Sequence, residues 1–284
     1  MSDRRRFHPA CSGHGYHRAG QHPPVHRGCA PARLALALLL FCAAPARAQQ
    51  TMRLAAAADL QPVLPPLLGA FQQQTGIRVL ASYQSSATLA TQIVDGAPFD
   101  LFMAADLSFP QRVIDAGKGE QAQPIPYARG TLVLWTRNDS GVAALSLEAL
   151  RNPAIRTIAV ANPEHAPYGR AARAALEHTG LLAAVQSRLV TAENIAQAAQ
   201  YADSGNAQVG FISLTSALTP RLSADGRFVR VPAGDYPPIL QGAVVVRGSA
   251  NAAAARRFLA FLETPAVAAR LAAAGLEPVP PTHP

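Results

Sequence analysis

Short apolar segments alternate with amphipathic segments along much of the chain, and this alternation strongly limits the folds available to it. Residues 52–57 form an apolar run of strand length, residues 60–74 carry one apolar stripe at helical spacing, and residues 77–83 form a second strand-length run. Another helical run and a mostly apolar run at 99–104 follow. Such strand–helix–strand units predict an α/β fold with a mostly parallel, doubly wound sheet. Ligands of these sheets bind beyond the carboxyl ends of the strands.

The same strand–turn–helix arrangement recurs in the middle of the chain, after a boundary-like segment rich in Gly, Pro and Gln at 117–129. We therefore predict two α/β lobes, each a mostly parallel sheet flanked by helices. Lobe one comprises residues 51–129 together with 236–284, and lobe two comprises residues 130–235. The chain then crosses twice between the lobes, an arrangement typical of a hinged pair that encloses a cleft.

The first 48 residues predict a secretory signal peptide rather than part of the fold. An apolar run at 34–41 is too short to span a bilayer, and an Ala-x-Ala cleavage site stands at 46–48. We expect cleavage after Ala48 and export to the periplasm. Three alternatives stay open: lipidation at Cys42, a twin-arginine signal at 4–7, and a translation start after the first methionine.

The charge and the cysteines of the chain are concentrated in this leader. Seven of the 25 Lys and Arg residues and one of the 17 Asp and Glu residues lie in residues 1–48, so the remainder holds 18 basic and 16 acidic residues. The net charge of +8 thus gives no indication of a nucleic-acid partner. All three cysteines also lie in the leader, which excludes disulfides and thiolate chemistry from the exported part and fits an oxidising compartment.

Several strand-to-helix turns carry polar residues where a helix begins. Ser85 and Ser86 precede one helical run, and further turns stand at 58–59, 167–169 and 193–195. Helix N-termini present unpaired N–H groups and the positive end of the dipole, so they are suited to anions. A serine at such a position is also typical of a simple N-cap. Judged on the serine turn alone, the cap is the favoured interpretation.

Four strings follow one another along the chain: AAAADLQPVL, GAPFDLFMAAD, ANPEHAPYGRAA and AENIAQAA. Together they resemble the periplasmic molybdate-binding proteins of ABC importers. The resemblance implies a two-lobed periplasmic-binding-protein fold of type II that closes on a tetrahedral oxyanion, without catalysis and without a cofactor. Its implied ligand is molybdate or tungstate, and its implied partner is the membrane permease of an ABC importer. We expect the binding protein itself to be a monomer. Sulfate, thiosulfate and phosphate remain alternative ligands.

The resemblance also implies which residues bind the oxyanion. They are Asp59 at the first strand–helix turn, Ser86, Tyr168, and Ile195 through its backbone N–H; Ser213 is carried over more weakly. None of these is Lys or Arg, which fits capture by neutral dipoles rather than by ion pairing. No metal is expected to be coordinated directly by the protein.

Asp59 departs from the family, which usually has a neutral hydrogen-bonding side chain at this turn. A carboxylate that faces a dianion in a dry cleft is costly. We therefore expect Asp59 to turn away and to act as the N-cap of the helix that begins at Leu60. The other orientation, with the carboxylate toward the anion, implies a different ligand or a shared proton.

An enzyme is the weaker alternative. A serine hydrolase needs a G-x-S-x-G nucleophile elbow, whereas Ser86 stands in QSSAT, and neither a Walker A nor a dinucleotide fingerprint occurs. After the leader the chain has only His165, His178 and His283, which are too scattered for a metal site.

Overall fold

The computed structural model describes residues 49–279, so the predicted signal peptide lies outside the described residues. The strands are Thr51–Ala57 (β1), Arg78–Gln84 (β2), Leu101–Ala104 (β3), Ile125–Gly130 (β4), Leu132–Arg137 (β5), Ile158–Ala161 (β6), Leu189–Ala192 (β7), Val209–Ser213 (β8), Gly226–Arg230 (β9), Ile239–Val245 (β10) and Glu277–Pro278 (β11). The α-helices are Leu64–Thr75 (α1), Ser86–Val94 (α2), Ser108–Asp115 (α3), Pro167–His178 (α4), Leu182–Val185 (α5), Ile195–Asp203 (α6), Leu214–Ala217 (α7), Pro220–Asp225 (α8), Ala252–Leu262 (α9) and Pro265–Ala273 (α10). Short 3-10 turns cover Ala58–Leu60, Glu148–Arg151 and Gln186–Arg188.

These strands form two sheets, which confirms the predicted two-lobed α/β fold. The first sheet has six strands in the order β11-β4-β10-β3-β1-β2, and the second has five in the order β7-β6-β8-β5-β9. In the first sheet β1 pairs in parallel with β2 and β3, and in the second β6 pairs in parallel with β7 and β8. The parallel strands are those that helices connect, as the strand–helix alternation predicts.

The antiparallel strands lie where the chain passes from one sheet to the other. The chain leaves the first sheet between Gly130 and Leu132 and returns to it between Arg230 and Ile239. Because β4 leads out of the first sheet and β10 leads back into it, the two strands run in opposite directions, and they pair antiparallel. Likewise β5 enters the second sheet and β9 leaves it, and these strands also pair antiparallel.

Both sheets are covered on two faces, which explains why their central strands are apolar at consecutive positions. In β1, Leu54 and Ala56 pack into one cluster with Phe71 and Phe258, while Ala55 packs into a different cluster. The rings of Phe71 and Phe258 meet edge to face, with centroids 5.1 Å apart. This helical cover fixes β1, and hence the turn that follows it, relative to the rest of the lobe.

The first long helix begins later than predicted. The chain forms the 3-10 turn Ala58–Leu60, and regular α-helix starts only at Leu64. Pro65 and Pro66 occupy the first turn, where a missing N–H costs nothing. The helix ends before Gly76, whose φ of 73° is the left-handed conformation that glycine adopts most easily.

Seven elements were missing from the sequence analysis: α3, α5, α7, α8, β4, β9 and β11. The segment 117–129, interpreted as a boundary, contains most of β4. The strands β4 (IPYARG) and β9 (GRFVR) are short and carry arginines, so their apolar pattern is weak. Within residues 49–279, no helix is both long and apolar enough to cross a bilayer.

Candidate functional site

Four polar turns come together at one place in the fold. The 3-10 turn Ala58–Leu60 follows β1, and helices α2, α4 and α6 begin shortly after β2, β6 and β7. Each turn therefore stands at the carboxyl end of a parallel strand, where α/β sheets bind ligands. Two of the turns belong to strands of the first sheet and two to strands of the second.

The turns line one small cavity. Its lining includes all four residues predicted to bind a ligand: Asp59, Ser86, Tyr168 and Ile195. No Lys, Arg or His belongs to this lining. The space is far smaller than a drug-sized pocket, so only a compact ligand such as a single ion suits it.

The two adjacent serines have different roles. Ser85 is the N-cap of α2, and its Oγ accepts a hydrogen bond from the Thr88 N–H at 3.2 Å. Ser86 is the first residue of the helix, and its Oγ accepts a hydrogen bond from the Ala105 N–H at 3.1 Å. The N-cap role considered for Ser86 is therefore wrong and belongs to Ser85. With its oxygen occupied as an acceptor, the Ser86 hydroxyl can donate its proton to an anion.

Two helices of the second lobe direct their N-termini at the same cavity. Ile195 is the first residue of α6, so its N–H has no acceptor within the helix, while the Asn194 side chain caps the Gln197 N–H at 3.0 Å. Tyr168 is the second residue of α4 and follows Pro167. Gly169 lets this helix approach β6 closely, since a Cβ there would lie 2.2 Å from the Ala161 carbonyl oxygen.

Asp59 is fully buried, and the structure contradicts its predicted role as a helix N-cap. Its Oδ2 accepts hydrogen bonds from the Tyr168 hydroxyl at 3.1 Å and from Gln241 Nε2 at 2.5 Å. The prediction was wrong because α1 begins only at Leu64, which leaves Asp59 within a 3-10 turn. Its Oδ1 is buried and has no hydrogen-bond partner among the described residues.

Burial governs the protonation of this group. Loss of solvation raises the pKa of Asp59 from 3.8 to about 6, although the hydrogen bonds from Gln241 and Tyr168 oppose the shift. Burial likewise raises the pKa of the Tyr168 and Tyr127 phenols well above their usual range. Both phenols therefore stay neutral and remain hydrogen-bond donors.

Gln241 and Tyr127, which support Asp59 from the first lobe, were missed in the sequence analysis. The Tyr127 hydroxyl donates to Gln241 Oε1 at 2.7 Å, which orients the amide so that its Nε2 faces Asp59. The available signal was Gln241 itself. It is a fully buried polar residue within the apolar strand ILQGAVV, and buried polar side chains are normally hydrogen-bonded.

Comparison with known proteins places the chain in a family. Residues 52–277 match the bacterial extracellular solute-binding proteins. The chain belongs to this family. It is 35% identical over 232 residues to the molybdate-binding protein ModA of Rhodobacter capsulatus, a match that covers 81% of this chain and 89% of that protein. It is 34% identical over 236 residues to ModA of Azotobacter vinelandii, covering 82% of this chain and 92% of that protein.

A solved structure supports the same placement. The periplasmic molybdate-binding protein of Azotobacter vinelandii matches with a TM-score of 0.75 and 34% identity, over 81% of this chain and 100% of that chain. The two-lobed fold predicted from the resemblance is thereby confirmed. Members of this family bind solutes and are not enzymes, as the missing nucleophile elbow indicated.

The two lobes of this solute-binding protein contact each other across the cleft. The Ala87 N–H donates to the His165 carbonyl oxygen at 3.1 Å. Arg170 of α4 forms an ion pair with Asp106, which follows β3 in the first lobe. These contacts hold the four turns around the cavity.

Ser213, the weakly assigned fifth position, is not brought to the cavity of this solute-binding protein. Its Oγ caps α7 by accepting from the Ser216 N–H at 3.2 Å, and it is hydrogen-bonded to the Thr215 hydroxyl at 2.8 Å. Residues 49–279 hold no group of three or more His, Cys, Asp and Glu side chains placed to bind a metal ion.

Proposed function

We propose that this protein captures molybdate, and tungstate as well, in the interlobe cleft and delivers it to the permease of an ABC importer. The observation that carries the proposal is a compact cavity lined by helix N-termini and hydroxyl groups, without a cation. The ModA proteins of Rhodobacter capsulatus and Azotobacter vinelandii, whose names state molybdate binding, cover nearly the whole described chain. Both observations favour a tetrahedral oxyanion as the ligand.

The ligand-binding residues that we propose are Asp59, Ser86, Tyr168 and Ile195. Ser86 and Ile195 stand at the first positions of α2 and α6, where N–H groups and the helix dipole favour an anion. Neutral donors fixed on helices replace the water shell of a large dianion, and their fixed positions select the size of the ion. Tyr168 and Asp59 reach the cavity from opposite lobes and are hydrogen-bonded to each other.

The lobe limits and the export route are part of the same proposal. We propose lobes of residues 51–129 with 236–284 and of residues 130–235, and the membership of the two sheets supports these limits. We propose a signal peptide at residues 1–48 and a periplasmic location, in agreement with the periplasmic location of the Azotobacter vinelandii relative. The protein would act there as a monomer, without a nucleic-acid partner.

Ligand competition tests the function. Titration calorimetry of the purified protein is expected to show tight binding of sodium molybdate and sodium tungstate and little binding of sulfate, thiosulfate or phosphate. The reason is that a cavity built for a large oxyanion leaves gaps around a smaller one, so donors stay unpaired. Sulfate affinity equal to or greater than molybdate affinity would remove the molybdate assignment.

Replacement of Ser86 by alanine tests the cavity itself. This change removes one hydroxyl donor to the anion and leaves the Ala105 N–H without its side-chain acceptor. Because hydrogen bonds to charged groups are strong, molybdate binding should weaken by about 1.5–3 kcal/mol. Calorimetry on the variant measures this loss.

Ser213→Ala is the matched control, because Ser213 is a buried helix cap outside the cavity lining. It should lower stability by about 1 kcal/mol and leave molybdate affinity unchanged. Unaltered affinity in a folded Ser86→Ala variant would mean that the Ser86 hydroxyl does not contact the anion.

A further inference from the structure

We propose that oxyanion capture in this cleft is coupled to proton uptake, with Asp59 as the residue that receives the proton. The inference rests on the proposed function, since it requires a dianion in the cavity. For each dianion bound, one proton passes from solvent to Asp59 Oδ1, and no bond of the ligand is made or broken. Asp59 thereby changes from a repelling charge into a neutral hydrogen-bond donor.

The geometry of the carboxyl group leaves one oxygen for this purpose. Oδ2 is occupied by two neutral donors, Tyr168 and Gln241, while Oδ1 is buried without a partner among the described residues. Asp59 itself lines the cavity. Two negative charges that lie close together in a site with little water repel each other strongly. A protonated Oδ1 removes this repulsion and adds an O–H donor that an anion can accept.

The residues that face Asp59 include no cation, so a proton is the means by which its carboxylate can be neutralised. The groups that face it are Tyr168 from α4, Gln241 from β10, Tyr127 from β4, Thr215 from α7, which donates to the Asp59 carbonyl, and Ser86 across the cavity from α2. All of these are uncharged. Arg170 of α4 is paired with Asp106.

Asp59 is also easily protonated. Its pKa of about 6 means that the carboxylate is mostly ionised at neutral pH yet close to its titration range. An approaching dianion raises this pKa further, because like charges disfavour ionisation. Proton uptake on binding should therefore approach one at alkaline pH and should decline as the pH falls below about 6, where the apo protein already holds the proton.

The test is calorimetric titration of sodium molybdate into the mature protein in buffers of different ionisation enthalpy, between about pH 6.5 and 8.5. The dependence of the observed heat on the buffer gives the number of protons taken up. The wild-type protein is expected to take up nearly one proton at the upper pH. Its affinity should fall up to about tenfold for each pH unit above 7, as one linked proton requires.

Two variants separate Asp59 from other titrating groups. Asp59→Asn has nearly the same shape and cannot take up a proton, so it should bind molybdate with no uptake and with pH-independent affinity. Asp100→Asn removes another buried carboxylate of the same lobe, one held by Ser249 and the Arg53 N–H away from the cavity, and should keep the wild-type uptake.

The outcomes distinguish the inference from the function on which it rests. Tight molybdate binding by the wild-type protein without proton uptake overturns the inference and leaves the proposed function intact. Uptake that persists in Asp59→Asn also overturns it, because the proton then goes elsewhere. A wild-type protein that binds none of the oxyanions overturns the proposed function together with the inference.

Discussion

An alanine at position 169 is expected to destabilise the protein by about 3 kcal/mol and to weaken oxyanion binding severely. A Cβ at this position would lie 2.2 Å from the Ala161 carbonyl oxygen, 2.8 Å from the Ala161 carbonyl carbon and 2.9 Å from the Asn162 carbonyl carbon. All three atoms belong to the backbone at the end of β6, so no side-chain rotation relieves the overlap. The N-terminus of α4 must then move away from the sheet.

This displacement would act directly on the site, because Tyr168 immediately precedes the glycine. A shifted α4 moves the Tyr168 hydroxyl away from Asp59, with which it forms a hydrogen bond across the cleft. Urea unfolding measures the loss of stability, and calorimetry with molybdate measures the loss of affinity.

Gly69→Ala is the matched control for the glycine substitution. Gly69 is exposed within α1, and a Cβ there meets nothing within 4 Å. Alanine should stabilise this helix by about 0.5–1 kcal/mol and leave binding unchanged. A Gly169→Ala variant as stable as the wild type would show that α4 does not depend on close contact with β6.

The parts of the fold that the sequence predicted are those specified by local pattern. The apolar run of β1 and the apolar stripe of α1 can be read from the sequence, because their buried residues recur at strand or helix spacing. The end of α1 before Gly76 follows from the conformational freedom of a single glycine. Such features depend on neighbours a few positions away, so the sequence alone is enough to find them.

The site was predictable as a set of positions and not as a set of contacts. The resemblance pointed to Asp59, Ser86, Tyr168 and Ile195, and the structure brings all four to one cavity. It did not reveal the partners of Asp59. Gln241 is 182 positions away along the chain, and Tyr168 is 109 positions away. No local pattern reports contacts at such separations, so the local N-cap preference of aspartate gave the wrong orientation.

Replacement of Asp59 by asparagine is expected to remove a loss of stability that the ligand-free wild-type protein undergoes as the pH rises. The folded state raises the pKa of Asp59 from 3.8 to about 6, mainly by burial. Below the lower value both the folded and the unfolded states carry the proton, so stability is unaffected there. Between the two values the unfolded chain releases its proton while the folded protein keeps it, and the free energy of unfolding falls as the pH rises.

Above the folded pKa both states are ionised, and the loss of stability is constant. A shift of this size at 1.36 kcal/mol per pKa unit amounts to about 3 kcal/mol. Asparagine does not titrate, so the variant escapes this loss whatever the fixed effect of its own hydrogen bonds. The quantity to compare is therefore the difference between variant and wild type at two pH values, which cancels that fixed effect.

Urea unfolding of the ligand-free proteins at about pH 4 and about pH 8 gives this comparison. The stability of Asp59→Asn relative to the wild type should be about 2.5 kcal/mol more favourable at the higher pH, because a small part of the shift is already present at the lower one. Ser213→Ala removes a nearby buried hydroxyl but no titrating group, so its offset from the wild type should be equal at both pH values. If the offset of Asp59→Asn is also equal at both pH values, Asp59 titrates at its ordinary pKa in the folded protein. Its carboxylate must then be stabilised in the cavity by something other than Tyr168 and Gln241.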